Sequence, residues 1–194
     1  MSKYNRKEVE PQVAGCLIAA ETLMDEAREK AFGPPSISIT DNKFFSGKAQ
    51  TFDIDRDKDG KADSTGTVSY SMFGNIDKID VANKDGTREY SIQFNRILGM
   101  VNDASVDLKG DGTTDATLRP WHGFFTHNLK GIEIDANNDR NFDATIRFNR
   151  GFFTGDVYRA SLDRNNDGTP ENYYDLKRHW FSGRFNGLEL KKDE

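Results

Sequence analysis

A single cysteine, Cys16, among 194 residues excludes an internal disulfide and says little about redox compartment. Long apolar runs are missing too, and no window approaches the length that crosses a bilayer as a helix. A mean hydropathy of −0.78 opposes a membrane barrel with a greasy exterior. Positive charge is scarce: 27 Lys and Arg stand against 32 Asp and Glu, for a net charge of −5. No basic stripe is evident, which argues against a general nucleic-acid binder. There is no glycine-rich phosphate loop and no serine or cysteine nucleophile signature. A convincing signal peptide is absent as well. Glu8 and Glu10 interrupt the approach to the short apolar run at 13–20, and the box Val13-Ala14-Gly15-Cys16 follows polar residues, not apolar ones.

What the chain has is an acidic repeat. Asp163-x-Asn165-x-Asp167-Gly168-x-x-Glu171 reads D-x-N-x-D-G-x-x-E. Asp55, Asp57, Asp59, Gly60 and Asp63 make the fullest copy. Asp135, Asn137, Asp139 and Asp143 make another, with Arg140 in the glycine slot. A further copy, Asp107 to Asp115, carries Lys109 where an oxygen belongs, and the weakest, Val81 to Glu89, lacks the first acid. The starts step by 26, 26, 28 and 28 residues, a period that signals a repeat architecture. A second motif alternates with the first. Phe44-Phe45-Ser46-Gly47, Phe124-Phe125-Thr126-His127, Phe152-Phe153-Thr154-Gly155 and Trp180-Phe181-Ser182-Gly183 are full copies. Met72-Phe73-Gly74 and Ile97-Leu98-Gly99 are shortened ones.

Between these turns the apolar period is two. Tyr90, Ile92 and Phe94 alternate with Ser91, Gln93 and Asn95; Ala144, Ile146 and Phe148 alternate with Thr145, Arg147 and Asn149. This predicts an antiparallel sheet with one apolar and one polar face. Six aromatic turns and five acidic loops make about twelve strands in up-and-down order over 36–191. So many strands curl, and an even number lets the first and last pair and close a barrel. The expected fold class is therefore mainly β: a meander of hairpin repeats, curled or closed into a barrel, with one N-terminal helix on or inside it. Residues 1–8 are expected to be loose. Residues 9–33 carry the helical stripe Val9, Val13, Cys16, Ala20, Leu23 and Ala27, with Pro11 in the first turn and Gly33-Pro34-Pro35 as the stop. Charges from Glu21 to Lys30 predict that the second half of the helix has one face in water. The apolar stripe could also be a dimer seam, but it is under three heptads long, which favours packing against the rest of the domain; monomer and helix-mediated dimer both stay open.

Calcium takes six to eight hard oxygen ligands. Short carboxylates at alternate positions of a tight loop converge on one centre, and glycine at position six permits the sharp turn. The spacing D-x-[DN]-x-D-G-x-x-[DE] between strands resembles the calcium hairpins of integrin-α-type FG-GAP repeats. It is also similar to the aspartate runs of thrombospondin type-3 repeats. The resemblance covers about nine residues per repeat, and this chain has one loop per hairpin, not one per four-stranded blade. It implies Ca2+ at Asp55, Asp57, Asp59 and Asp63, at Asp135, Asn137, Asp139 and Asp143, and at Asp163, Asn165, Asp167 and Glu171. The alternative is that Asp-Gly and Asn-Asp simply make good turns.

The expected function is a non-catalytic calcium-binding module whose partner is a protein, glycan or small molecule. An extracellular or periplasmic setting is favoured over a cytoplasmic one. Two other readings remain. A lipocalin-like carrier would hold a small apolar ligand beside the helix. An enzyme would use the edge bearing His122, His127 and His179 with Trp121, Trp180, Arg119 and Arg178.

Overall fold

Extended backbone sends successive side chains to opposite faces, and the segment 64–70 shows the consequence. Ser64, Gly66 and Val68 are buried, while Thr65, Thr67 and Ser69 face water. A computed structural model describes residues 6–27, 36–42, 49–71, 75–97, 100–123, 128–152, 154–178 and 185–191, and this pattern recurs through it. The helix α1 (Arg6–Ala27) comes first. Twelve strands follow: β1 (Ser36–Asn42), β2 (Ala49–Asp55), β3 (Ser64–Tyr70), β4 (Ile76–Asn83), β5 (Arg88–Ile97) and β6 (Met100–Asp107). The second half is β7 (Ala116–His122), β8 (Leu129–Asp135), β9 (Ala144–Arg150), β10 (Val157–Asp163), β11 (Asn172–Arg178) and β12 (Phe185–Lys191).

Every strand pairs antiparallel with its sequence neighbours, and β1 pairs with β12 through Ile37↔Leu188 and Ser38↔Gly187. The sheet is a closed barrel, so no strand is left with an open edge. Inward positions are mostly apolar: Phe52, Ile54, Tyr90, Ile92, Ile132, Ile134, Ile146 and Leu162 are all fully buried. Outward positions such as Thr67, Gln93, Asn95, Arg147 and Asn149 are exposed and polar. Among the described residues no helix is long and apolar enough to cross a membrane.

The helix fills the lumen. Residues 11–24 are buried without a break, and fourteen consecutive residues cover every face of a helix, so the barrel surrounds this stretch. Leu17 and Ile18 lie in one apolar cluster with strands from all round the wall. The wall approaches closely at Gly15, where a Cβ would lie 2.6 Å from Ile132 Cδ1 and 2.6 Å from Phe148 Cζ. Cys16 sits fully buried on the same turn, and burial pushes its thiol pKa up.

Three expectations about the helix change. It reaches back to Arg6, so residues 6–8 belong to it. Pro11 therefore lies in the second turn, not the first. Glu21 does not face water: it is 3 % exposed inside the barrel mouth, because Arg56 supplies the counter-charge that the sequence does not place next to it. Since every face of 11–24 is covered by the chain's own wall, that stretch offers no seam to a second copy. Residues 28–33, the rest of the expected helix, lie outside the described residues.

Candidate functional site

The β2–β3, β6–β7, β8–β9 and β10–β11 connections share one conformation, and their own side chains build it. The first acid accepts the N–H of position six through Oδ2: Asp55 from Gly60, Asp107 from Gly112, Asp135 from Arg140 and Asp163 from Gly168, at 2.8–3.0 Å. The ninth-position acid accepts the N–H of position two, as Asp63 from Arg56, Asp115 from Leu108, Asp143 from Ala136 and Glu171 from Arg164, at 2.7–2.8 Å. Positions four and six adopt the left-handed backbone in all four loops, for instance Asn166 at φ 55° and Gly168 at φ 94°. Glycine fills four of these eight positions and asparagine two, with Lys58 and Arg140 in the others, and the carboxylate-to-backbone bonds hold each turn, so the loops are pre-shaped without help from an ion. Such bonds also favour ionised carboxylates: the Arg56 N–H, and Lys84 at 3.5 Å, hold Asp63 below its ordinary pKa.

Two loops differ from the others at one atom. In the Asp107 and Asp135 loops the remaining oxygen of the first acid, Oδ1, accepts a backbone N–H: Asp107 from Lys109 and Asp111, and Asp135 from Asp139, each at 3.2 Å. In the Asp55 and Asp163 loops that Oδ1 is buried and has no hydrogen-bond donor. Asp163 is only 2 % exposed, so bulk solvent does not reach it. The same two loops gather three carboxylates. Asp55, Asp57 and Asp63 bring one oxygen each within 4.8 Å of one another, as do Asp163, Asp167 and Glu171.

The expected ligand sets are therefore unequal. Asp59 stands outside the first group, with Oδ1 accepting the Lys61 N–H at 2.8 Å and Oδ2 4.0 Å from the Lys61 ammonium. Asn165 sits beside the second group, its Nδ2 donating to Asp167 Oδ2 at 3.1 Å. Asp135, Asp139 and Asp143 do not gather. There Asn137 Oδ1 accepts the Asp139 N–H, and Asn141 N–H, donating to the Asp139 carboxylate, holds that carboxyl below its ordinary pKa. The weakest copy is a short turn closed on Asn83, whose side chain accepts from Asp85 and Thr87.

Arg140 is the one non-glycine at position six, at φ 72°. A side chain there costs about 1–2 kcal/mol in backbone strain, against the extra freedom that glycine gives the unfolded chain. Arg140→Gly is expected to raise stability by about 0.5–1 kcal/mol in urea unfolding. A loss instead would mean that the arginine side chain makes contacts worth more than the strain.

Sequence reading missed the residues that tie the loops together. Asn138 accepts from Thr117 Oγ1 at 2.7 Å and donates to Thr114 O at 2.9 Å; Asn166 accepts from Thr145 Oγ1 at 2.9 Å. Each position-four asparagine thus stitches its loop to the preceding hairpin. The signal was present, since asparagine is a favoured left-handed residue, but the partner sits more than twenty residues away. Arg56 was missed too. Its guanidinium forks onto Glu21 at 2.8 and 2.9 Å, reaches Glu89 Oε2 at 2.9 Å and donates to Ser64 Oγ at 2.7 Å. The Asp55 loop is thereby joined to the internal helix.

At the opposite end His122 closes β7 and is exposed, while His127, His179 and Trp180 lie outside the described residues. Of the two arginines expected at that edge, Arg178 donates to Val157 O at 3.2 Å, while Arg119 turns to the acidic end, its guanidinium 5.5 Å from the Phe142 ring in the β8–β9 loop. Arg150 does for Leu129 O what Arg178 does for Val157 O, at 2.9 Å. Phe152, in the β9–β10 turn, is 93 % exposed.

No family model matches this chain, and no curated protein matches it either.

Proposed function

We propose that this protein is a non-catalytic calcium-binding barrel that acts as a surface or interaction module, with Ca2+ held by the Asp55 and Asp163 loops. The observation that carries the reading is the buried, donor-less Oδ1 of Asp163 within a group of three carboxylates. An unsatisfied anionic oxygen removed from water is costly unless a cation meets it. Asp163, Asp167 and Glu171, with Asn165 beside them, offer the hard oxygens that calcium takes; Asp55, Asp57 and Asp63 repeat the arrangement. The rim of exposed aromatics, Phe152 with Trp121, supports an interaction role at the other end of the barrel. A carrier reading has less support, because the helix occupies the lumen that a ligand would need.

The test is thermal unfolding in EDTA and then in millimolar Ca2+, with Asp163→Asn alongside. Calcium at ten times its Kd contributes about 1.4 kcal/mol, a rise of about 3–6 °C for a chain of this size. The variant is expected to lose a large part of that rise. An unchanged midpoint at every calcium concentration would reduce the loops to self-satisfied turns.

A further inference from the structure

A pocket of about 340 Å3 lies on the outer wall, where β6 and β7 meet the β8–β9 loop. Four of the polar side chains that line it are already engaged within the chain. Asp103 accepts the side-chain amides of Asn95 and Asn102, each at 2.6 Å. Asp135 accepts the N–H groups of Asp139 and Arg140 at 3.2 and 2.9 Å. Thr117 donates to Asn138, and Asn138 donates to Thr114 O. The two arginines of the same lining, Arg119 and Arg140, have no carboxylate partner and no side-chain hydrogen bond among the described residues. What the pocket has to spare is therefore donor-only, because a guanidinium carries five N–H groups and no acceptor. Arg119 is held over the Phe142 ring, 5.5 Å from its centre. Arg140 stands where the sister loops have glycine, in a left-handed backbone at φ 72°. Strained positions of this kind cluster at ligand clamps, where the side chain they aim is used.

We propose that this pocket binds the oxyanion group of a small ligand, a phosphate, sulfate or carboxylate, through the guanidiniums of Arg119 and Arg140. Planar forks of N–H donors match the oxygens of such groups, and charge-assisted bonds of this type are the strong ones. Phe142 supplies an apolar surface beside the charged group. The two carboxylates of the lining do not take the place of the ligand, since their oxygens face amide and backbone donors. The site does not depend on calcium. The Asp135 loop, whose acids do not gather, carries in Arg140 a binding side chain at the position where its sisters turn on glycine.

Amide chemical shifts followed by NMR in calcium-free buffer test this. Sodium phosphate, sodium sulfate and sodium acetate are added in separate titrations, each against sodium chloride at matched ionic strength. Saturable shifts centred on residues 138–142 and on β7 are expected with at least one of the three, and comparison of the titrations gives the preferred group. Arg119→Gln and Arg140→Gly are each expected to weaken that binding about tenfold. Both arginines are exposed, and Arg140→Gly relieves backbone strain, so both variants fold, which their unfolding midpoints verify. Arg147→Gln, at an exposed arginine of the same wall outside the pocket, is expected to leave the affinity unchanged. No saturable shift with any of the three oxyanions overturns the proposal. Binding that survives intact in either pocket variant overturns it too. So does an equal loss in Arg147→Gln, because the general charge of the wall, and not this pocket, would then attract the anion.

Discussion

Arg56→Met is expected to lower the stability of the barrel by about 3–5 kcal/mol, the range for removing one partner from a buried ion pair. The side chain of Glu21 is 2 % exposed and that of Glu89 is 9 % exposed, and one guanidinium serves both. Its fork onto Glu21 is bidentate, the geometry in which an arginine–carboxylate pair is strongest. Ser64 completes the ring by donating to Glu89 Oε2 at 2.7 Å. Taking the cation away leaves two carboxylates facing each other at the barrel mouth, beneath the buried Tyr90 phenol. The pKa of that phenol is already pushed up by burial and then by the charge of Glu21. Urea unfolding measures the loss. Adding Glu21→Gln to Arg56→Met is expected to recover part of it, because the second substitution removes an uncompensated charge; a double-mutant cycle isolates the coupling. A loss under about 1 kcal/mol in the single variant would show that water replaces the guanidinium and that the helix is not held by this pair.

Gly187→Val is the second large effect, with an expected loss of about 3 kcal/mol or more together with a tendency to associate. Gly187 sits in the seam that closes the barrel, opposite Ser38 of β1. Its φ of 156° is a value that side-chain-bearing residues avoid, and a Cβ there would lie 2.3 Å from Ile37 O. The obstacle is main chain, so no rotamer change relieves it, and strain and overpacking add. Among the described residues two pairs, Ile37↔Leu188 and Ser38↔Gly187, join β1 to β12, so a change at Gly187 falls on the closing register itself. A parted seam leaves two unpaired edges, which are templates for pairing with another chain. Urea unfolding and light scattering together check this. A variant that keeps wild-type stability and stays dispersed would mean that closure does not depend on the close approach at Gly187.

Much of the fold was legible because it rests on local periods. Period two in segments such as Tyr90-Ile92-Phe94, with turn residues at fixed spacing, specifies strands, their order and which face is apolar. The acidic loops were legible for the same reason: the carboxylate-to-backbone bonds that shape each nine-residue turn lie within it. What was not legible depended on partners far apart in the chain. The charges around Glu21 read as a water-facing stripe, because the residue that neutralises Glu21 is thirty-five positions away. The three acidic copies that looked alike separated on one oxygen. Whether Oδ1 of the first acid meets a backbone N–H is set by small differences in how each loop closes, and the Asp135 loop closes differently from the Asp163 loop while sharing its pattern.

The sequence by itself determined the elements, the up-and-down order and the two opposite rims, since alternation and turn chemistry act over a few residues. Only the tertiary structure decided that the sheet closes, that the helix runs inside it, and that Arg56 joins a loop to that helix. Each of those depends on bringing together groups distant in sequence, whose charge and volume are complementary only once the barrel has formed.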